Sequence, residues 1–123
     1  MTYLLDTTVL VDDLRRRPAA AQFLEGLNQQ PSVSVVSALE LYAGARSAVE
    51  ETHIERILAG NIVLPVTTPV ARLAGQFIKH LGNAYGFDEI DAIIAATAEH
   101  HGLDLATLNV KHFPMFRRLK RAY

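Results

Sequence analysis

Three carboxylates, Asp6, Glu40 and Asp91, are the residues best suited to do chemistry in this sequence. Asp6 directly follows the apolar run of residues 3–5, Glu40 lies one helical turn after a β-branched run, and Asp91 lies in the first turn of a later helix. Acids that meet at one place repel each other and raise their own pKa values unless a cation lies among them. A site built from a few carboxylates suits Mg²⁺, or Mn²⁺ as a substitute, better than Zn²⁺.

Two of these acids also have a purely structural interpretation as helix caps. Residues 37–40 read S-x-x-E, a complete capping box, and residues 88–91 nearly match the same pattern. Residues 92–96 make the helix of Asp91 apolar nearly all round, so it should be buried, where a cap cannot reach bulk water. Asp6 is harder to explain structurally, because an acid directly after an apolar strand is costly unless it has a task there.

The carboxylates can meet only if the secondary structure brings them to one place. The predicted strands cover residues 3–5, 33–36, 62–64 and 103–107, and the predicted helices follow Asp6 and cover residues 18–27, 37–45, 50–58, 69–81 and 89–101. This alternation predicts an α/β fold with three layers, α/β/α, around a short, mostly parallel sheet. Ligand sites in such sheets form outside the carboxyl ends of the strands, which puts Asp6 and Glu40 at one edge. Asp91 joins them if its helix begins there.

Helix-stop and helix-start residues set the clearest boundaries. Thr68 is the predicted N-cap of a helix that has Pro69 at its first position and ends at Gly82. Asp88 is the predicted cap of the next helix, which Gly102 stops.

Composition predicts one soluble domain over residues 1–123. Half of the residues are apolar and a fifth are charged, and the chain has no cysteine to form a disulfide or a thiolate metal site. No apolar run is long enough to span a bilayer, and no signal peptide is recognisable, so we expect a cytoplasmic protein with no membrane partner.

Basic residues form two clusters although the net charge is only −1. They are Arg15, Arg16 and Arg17 near the start and Lys111, Arg117, Arg118, Lys120 and Arg121 in the last thirteen residues. One interpretation is a solvated surface with a frayed basic tail, and the other is contact with a nucleic-acid backbone.

Four segments together resemble the PIN-domain ribonucleases, and specifically the VapC toxins of bacterial and archaeal toxin–antitoxin pairs. The segments are residues 5–12 (LDTTVLVD), 37–44 (SALELYAG), 91–98 (DAIIAATA) and 105–113 (LATLNVKHF). The resemblance implies a homodimeric endoribonuclease that uses Mg²⁺ or Mn²⁺ to hydrolyse RNA and that a cognate antitoxin inhibits. It also implies that Asp6, Glu40 and Asp91 are catalytic.

The resemblance assigns roles within this set. Asp6 and Asp91 would be the chief metal ligands, with Glu40 as a further ligand or as the group that orients a water or takes its proton. The sequence leaves open whether one or two metals take part. The resemblance also gives the basic residues a role in holding RNA, namely Arg15, Arg16, Arg17, Lys111, Arg117 and Arg118.

The chain departs from the family pattern at two positions. Thr8 stands where relatives commonly have Asn, and His112 stands where they often have an acid. His112 could bind a water or phosphate, or could be an ordinary surface residue. The Thr7 hydroxyl and Asn109 are further candidates for the site.

The sequence also bears on two other functions and on the antitoxin partner. A phosphoacceptor receiver domain needs an acid after a central strand, where this chain has only Val63, Leu64 and Pro65. A non-enzymatic interaction module with the same fold, whose acids serve as caps, remains the alternative. An apolar stripe that could form a groove for an antitoxin helix, or could equally be core, comprises Tyr42, Ala43, Ile54, Ile57 and Leu58.

Overall fold

The computed structural model describes residues 1–82 and 87–123. Its strands are β1 (Tyr3–Leu5), β2 (Ser32–Ser34), β3 (Ile62–Leu64) and β4 (Asp104–Ala106). Its helices are α1 (Thr7–Leu14), α2 (Pro18–Glu25), α3 (Val35–Ala43), α4 (Ala48–Ala59), α5 (Thr68–Leu81) and α6 (Glu89–His100). In these described parts, no helix is long and apolar enough to cross a membrane.

The strands form one sheet with the order β3-β2-β1-β4, and every described pair is parallel. We predicted an α/β fold with a mostly parallel sheet, and the observed parallel pairing confirms it. Because β1 has β2 on one side and β4 on the other, the order reverses next to β1. In open parallel sheets, ligands bind outside the carboxyl ends of the strands at such a reversal.

Helices cover both faces of the sheet, as side-chain alternation along the strands requires. Leu5 points to one face and packs with Val9 of α1 and Ile54 of α4. Its neighbour Leu4 points to the other face and packs with Ile94 of α6. Successive side chains of a strand leave opposite faces. The predicted three layers are therefore present, and α5 packs on α6.

The second strand is shorter than predicted, because α3 begins at Val35. The Ser34 hydroxyl accepts a hydrogen bond from the backbone N–H of Val36 and so caps the helix. Val35 and Val36 favour strands on their own, but the cap places them in the first helical turn. Ser37, predicted as a cap, instead lies inside the helix and is fully buried.

Two further boundaries correct or confirm the prediction. The N-cap of α5 is Thr67, whose hydroxyl accepts from the Val70 N–H, and Thr68 is the first helical residue. Gly82 directly follows α5 and has a φ of 59°. Gly102 lies two residues after the end of α6 and has a φ of 64°. These positive φ values suit glycine, as the predicted helix stops required.

The basic C-terminal segment is packed against the body of the protein and is not frayed. Phe113 is 1% exposed, and the backbone N–H of Ala122 donates to the Thr107 carbonyl. The Tyr123 hydroxyl donates to Asp12 at 2.8 Å. Burial and this hydrogen bond raise the pKa of the Tyr123 phenol.

Of the two interpretations of the apolar stripe, a groove for an antitoxin helix or core, the described residues favour core. Ile54 is fully buried in the core next to α1, and Ile57 and Leu58 pack against the same cluster. Tyr42 keeps 40% of its surface exposed. Most of that stripe is therefore core.

Candidate active site

Asp6 directly follows β1 at the carboxyl edge of the sheet, beside the end of β4. Its backbone N–H donates to the Ala106 carbonyl at 2.8 Å, and its side chain is almost completely buried. Its Oδ2 accepts hydrogen bonds from the Thr8 hydroxyl at 2.8 Å and from the Thr107 hydroxyl at 2.7 Å. In the described residues both bonds use the same oxygen, so Oδ1 keeps its lone pairs for another ligand.

Thr8 and Thr107 connect the ends of β1 and β4 through this carboxylate. Thr8 also accepts from the Leu108 N–H at 3.2 Å, and Thr107 accepts from the Asn109 N–H at 2.9 Å. Each hydroxyl therefore takes a backbone hydrogen bond and donates its own proton to Asp6. The orientation of Asp6 is thus determined by residues about a hundred positions apart in the sequence.

Glu40 reaches the same region from α3 and is held by α1. The Thr7 hydroxyl donates to Oε1 of Glu40 at 2.6 Å and lies 2.8 Å from Oγ of Ser37. The predicted capping box of residues 37–40 is therefore wrong, since the cap of α3 is Ser34 and both residues face Thr7. Glu40 is half-buried and hydrogen-bonded across two helices.

Asp91 is both a cap and a part of the site. Its backbone N–H donates to Oδ1 of Asp88 at 2.8 Å, while its own Oδ2 accepts from the Asp88 N–H at 3.4 Å. This is a complete capping box at the start of α6. The same Oδ2 lies 3.3 Å from Nδ1 of His112.

The surroundings of Asp91 disfavour its charged form. Its pKa is raised to about 7, chiefly by burial, and the negative charges of Asp88 and Asp6 act in the same direction. The hydrogen bond from Asp88 and the nearby His112 act against the rise. Asp6 and Asp91 are therefore close enough to repel, which is the condition that a bound cation would relieve.

The donor set fits a metal bound by few protein ligands. Within residues 1–82 and 87–123, no group of three or more His, Asp or Glu side chains is arranged to hold a metal ion. Mg²⁺ keeps several waters and is commonly held by one or two carboxylates. Asp6 and Asp91 supply such a pair of oxygen donors, whereas Glu40 is engaged by Thr7.

The candidate residues of the last motif have different environments. His112 lies in a single 3-10 turn, Val110–His112, and contacts Asp91. Asn109 is exposed and contributes its backbone N–H to Thr107. Thr107 was not singled out from the sequence, although its position after the last strand, next to the reversal of strand order, is the signal that could have identified it.

The two basic clusters lie in different places relative to Asp6. The first, Arg15–Arg17, follows the far end of α1, an eight-residue helix about 12 Å long, and Arg17 pairs with Asp12 at 3.5 Å. Lys111 is exposed in the same turn as His112. Arg117 and Arg118 are exposed beside the outer edge of β4.

A model of the PIN domain family matches residues 3–121 of this chain. The chain belongs to the PIN domain family. Ribonuclease VapC19 of Mycobacterium tuberculosis is 38% identical over 124 residues, which cover 98% of each chain. Ribonuclease VapC10 of the same organism is 41% identical over 120 residues, covering 95% of this chain and 90% of that relative. The predicted resemblance to VapC ribonucleases is confirmed.

Solved PIN-domain structures share the fold along nearly the whole chain. A chain of a toxin–antitoxin complex from Klebsiella pneumoniae gives a TM-score of 0.84 at 28% identity and covers 98% of both chains. A chain of VapBC2 from Rickettsia felis, bound to a promoter DNA fragment, gives 0.80 at 22% identity, with coverage of 97% and 96%. At that lower identity, the likeness is one of fold.

Proposed function

We propose that this PIN domain is the toxin of a toxin–antitoxin pair and acts in the cytoplasm as a metal-dependent endoribonuclease. The observation that carries the proposal is the position of Asp6, held by Thr8 and Thr107 where the strand order reverses and close enough to Asp91 to raise its pKa. The relatives named ribonuclease, similar over almost their full length, support the choice of RNA as substrate.

A metal fits this edge as the partner of Asp6 and Asp91. Mg²⁺, or Mn²⁺ in its place, would supply Lewis acidity toward a phosphate and a bound water of lowered pKa. Thr8 and Thr107 fix the Asp6 carboxylate through Oδ2, and the capping box fixes Asp91 through Asp88. Both carboxylates are thus oriented before any ligand arrives, as hydrogen bonds behind metal ligands generally achieve.

Glu40 is the group we assign to the attacking water. The Thr7 hydroxyl donates to Oε1 of Glu40, so Oε2 is the oxygen that remains to orient a water or accept its proton. His112, beside Asp91, is 39% exposed and can donate a hydrogen bond to a phosphate oxygen.

We also propose two protein partners, a cognate antitoxin and a second copy of the chain. The antitoxin follows from the named relatives and from the complexes in which neighbours of this fold were solved. The second copy is supported by an apolar stripe on α3, where Val35, Leu39 and Tyr42 share one face and are 42%, 62% and 40% exposed.

The test compares acid-to-amide variants in an RNA cleavage assay with Mg²⁺. We expect Asp6→Asn and Asp91→Asn to cleave a mixed-sequence RNA roughly a hundredfold more slowly than the parent, because each loses charge at the reacting centre. Glu99→Gln is the matched control, since Glu99 is an exposed acid at the other end of α6. It should cleave at the parental rate.

Thermal unfolding of each variant separates chemistry from folding. If Asp6→Asn and Asp91→Asn fold like the parent and cleave RNA as fast as it does, the catalytic proposal is wrong. A parent that cuts no RNA in Mg²⁺ or Mn²⁺ would favour the non-enzymatic interaction module, for which the capping box of Asp91 is the supporting observation.

A further inference from the structure

A cavity of about 650 Å³ lies between the outer edge of β4 and the C-terminal segment, away from the carboxylates. Its volume falls within the range of ~300–1,000 Å³ that is usual for sites of small ligands. Aromatic rings of Tyr3, Phe23 and Phe116 line it. Tyr3 and Phe23 contact each other edge to face, with ring centroids 5.5 Å apart.

The backbone of β4 turns one donor and one acceptor toward this cavity. Asp104 and Ala106 form hydrogen bonds toward β1, so the intervening Leu105 directs its N–H and C=O to the opposite side. The flanking residues do have partners, because the Leu103 N–H donates to the Ala98 carbonyl and the Thr107 carbonyl accepts from the Ala122 N–H. Leu105 is only 7% exposed, and among the described residues neither its N–H nor its C=O has a backbone hydrogen-bond partner on that side. Backbone N–H and C=O groups normally have a hydrogen-bond partner, which a ligand in this cavity can supply.

The rim of the cavity is strongly basic. Four exposed cations line it within five residues, namely Arg117, Arg118, Lys120 and Arg121. Among the described residues that line it, Asp104 is the one acid. Aromatic faces, a hydrogen-bonding strand edge and a cationic rim together favour an anionic ligand with a flat, polar-edged group.

We propose that this cavity is a nucleotide subsite that holds one unstacked base of single-stranded RNA, with the adjoining phosphates on the basic rim. The inference rests on the proposed ribonuclease function and adds a binding site outside its catalytic edge. A base edge presents a donor and an acceptor side by side, which matches Leu105, and its face stacks on aromatic rings. A peptide strand added at this edge could pair with Leu105 alone among the three residues of β4, which makes a peptide a poorer fit than a base.

The cavity and the carboxylate Asp6 adjoin the same strand, β4. Thr107 follows Leu105 by two residues and donates to Asp6. A base bound at Leu105 therefore lies two residues along β4 from the side chain that orients Asp6. The subsite would add to RNA binding and leave the chemistry at Asp6 unchanged.

The experiment measures RNA binding in EDTA, so that neither cleavage nor metal binding contributes. A single-stranded 12-nucleotide RNA containing 2-aminopurine is titrated with the parent, with Arg118→Gln/Lys120→Gln, and with Phe116→Leu. The control Arg56→Gln/Arg72→Gln removes two exposed cations from α4 and α5. We expect the first double variant to flatten the dependence of log K on log salt concentration by about 0.7 per lost phosphate contact. The control should keep the parental slope.

Phe116→Leu tests the base itself. We expect roughly tenfold weaker binding and loss of 2-aminopurine quenching, because leucine keeps an apolar side chain but removes the stacking face. Parental slope and quenching in both cavity variants would overturn the subsite, and so would an acidic peptide that displaces the RNA and binds more tightly than it does. The ribonuclease proposal is judged separately, by cleavage with Mg²⁺ in the parent.

Discussion

Thr107 shows how a buried side chain can determine where a carboxylate points. It is fully buried, accepts the Asn109 N–H and donates to Oδ2 of Asp6, as Thr8 also does. Hydrogen bonds behind a metal ligand fix its rotamer, and their loss commonly costs metal affinity or activity. We therefore assign Thr107 a positioning role.

The change that tests this role is Thr107→Val, which keeps the shape and removes the hydroxyl. We expect RNA cleavage to fall roughly 10- to 100-fold with a higher Mg²⁺ requirement, as for other residues behind metal ligands. Thr107→Ser should restore most of both, since it retains the donor. Single-turnover cleavage over a range of Mg²⁺ concentrations measures the effect. Equal Mg²⁺ dependence in Thr107→Val and the parent would show that the hydroxyl does not position Asp6.

Asp91 gives a pH-dependent stability in the absence of metal. Burial, with Asp88 as the next cause, raises its pKa in the folded protein from an ordinary value of 3.8 to about 7. Between these values the folded state binds more protons than the unfolded state, so the free energy of unfolding falls as pH rises. We expect Asp91→Asn to lack this contribution and to gain stability relative to the parent between pH 4 and pH 7.

Urea unfolding in EDTA at pH 5 and pH 8 measures that difference. At pH 8, added Mg²⁺ should raise the melting temperature of the parent and leave Asp91→Asn nearly unchanged, because ligands stabilise the state that binds them. A parental stability that does not fall from pH 5 to pH 8 would contradict the raised pKa.

The sequence predicted some helix ends correctly and others wrongly. Glycines and Asp88 marked the ends of α5 and α6 correctly, because each has a local conformational reason to be there. Ser34 and Ser37 are equivalent as local caps, and only packing decides that Ser34 takes the role. Sequence order and the parallel sheet sufficed to bring Asp6 and Glu40 to one edge. The bond from Thr107 to Asp6, spanning 101 positions, has no local signature.

The start of α5 offers a direct test of a corrected boundary. The Thr67 hydroxyl accepts from the Val70 N–H, whereas Thr68 lies within the first turn. We expect Thr67→Ala to lower the free energy of unfolding by about 1 kcal/mol, the usual cost of losing an N-cap. Thr68→Ala is the matched control and should cost less than half of that. Urea unfolding measures both, and equal losses would return the cap to the position predicted from sequence.

The molecule as a whole separates its surfaces by chemistry. Carboxylates lie at one edge of the sheet, cations follow the C-terminal segment beside β4, and three exposed apolar side chains share the α3 stripe. Such a stripe is costly to leave in water, which is why we assign it to a second copy of the chain.

Charge placed in the stripe should prevent that association. Leu39→Glu is expected to shift the protein from dimer to monomer in size-exclusion chromatography with light scattering, because burying an unpaired carboxylate is unfavourable. Val49→Glu is the control, since Val49 lies on α4 and is 68% exposed, close to the 62% of Leu39. A parent that is monomeric at high concentration, or a Leu39→Glu variant that remains dimeric, would remove the stripe from the interface.

The separation of Asp6 and Thr107 in sequence also determines how much time passes between their synthesis on the ribosome. A ribosome adds ~5–20 residues per second, so about 5–20 seconds pass between the synthesis of these two residues. During that interval β1 lacks β4 as a neighbour, and Asp6 lacks one of its two donors. The nascent chain therefore carries Asp6 without the strand that completes its hydrogen bonding until almost the whole domain has been synthesised.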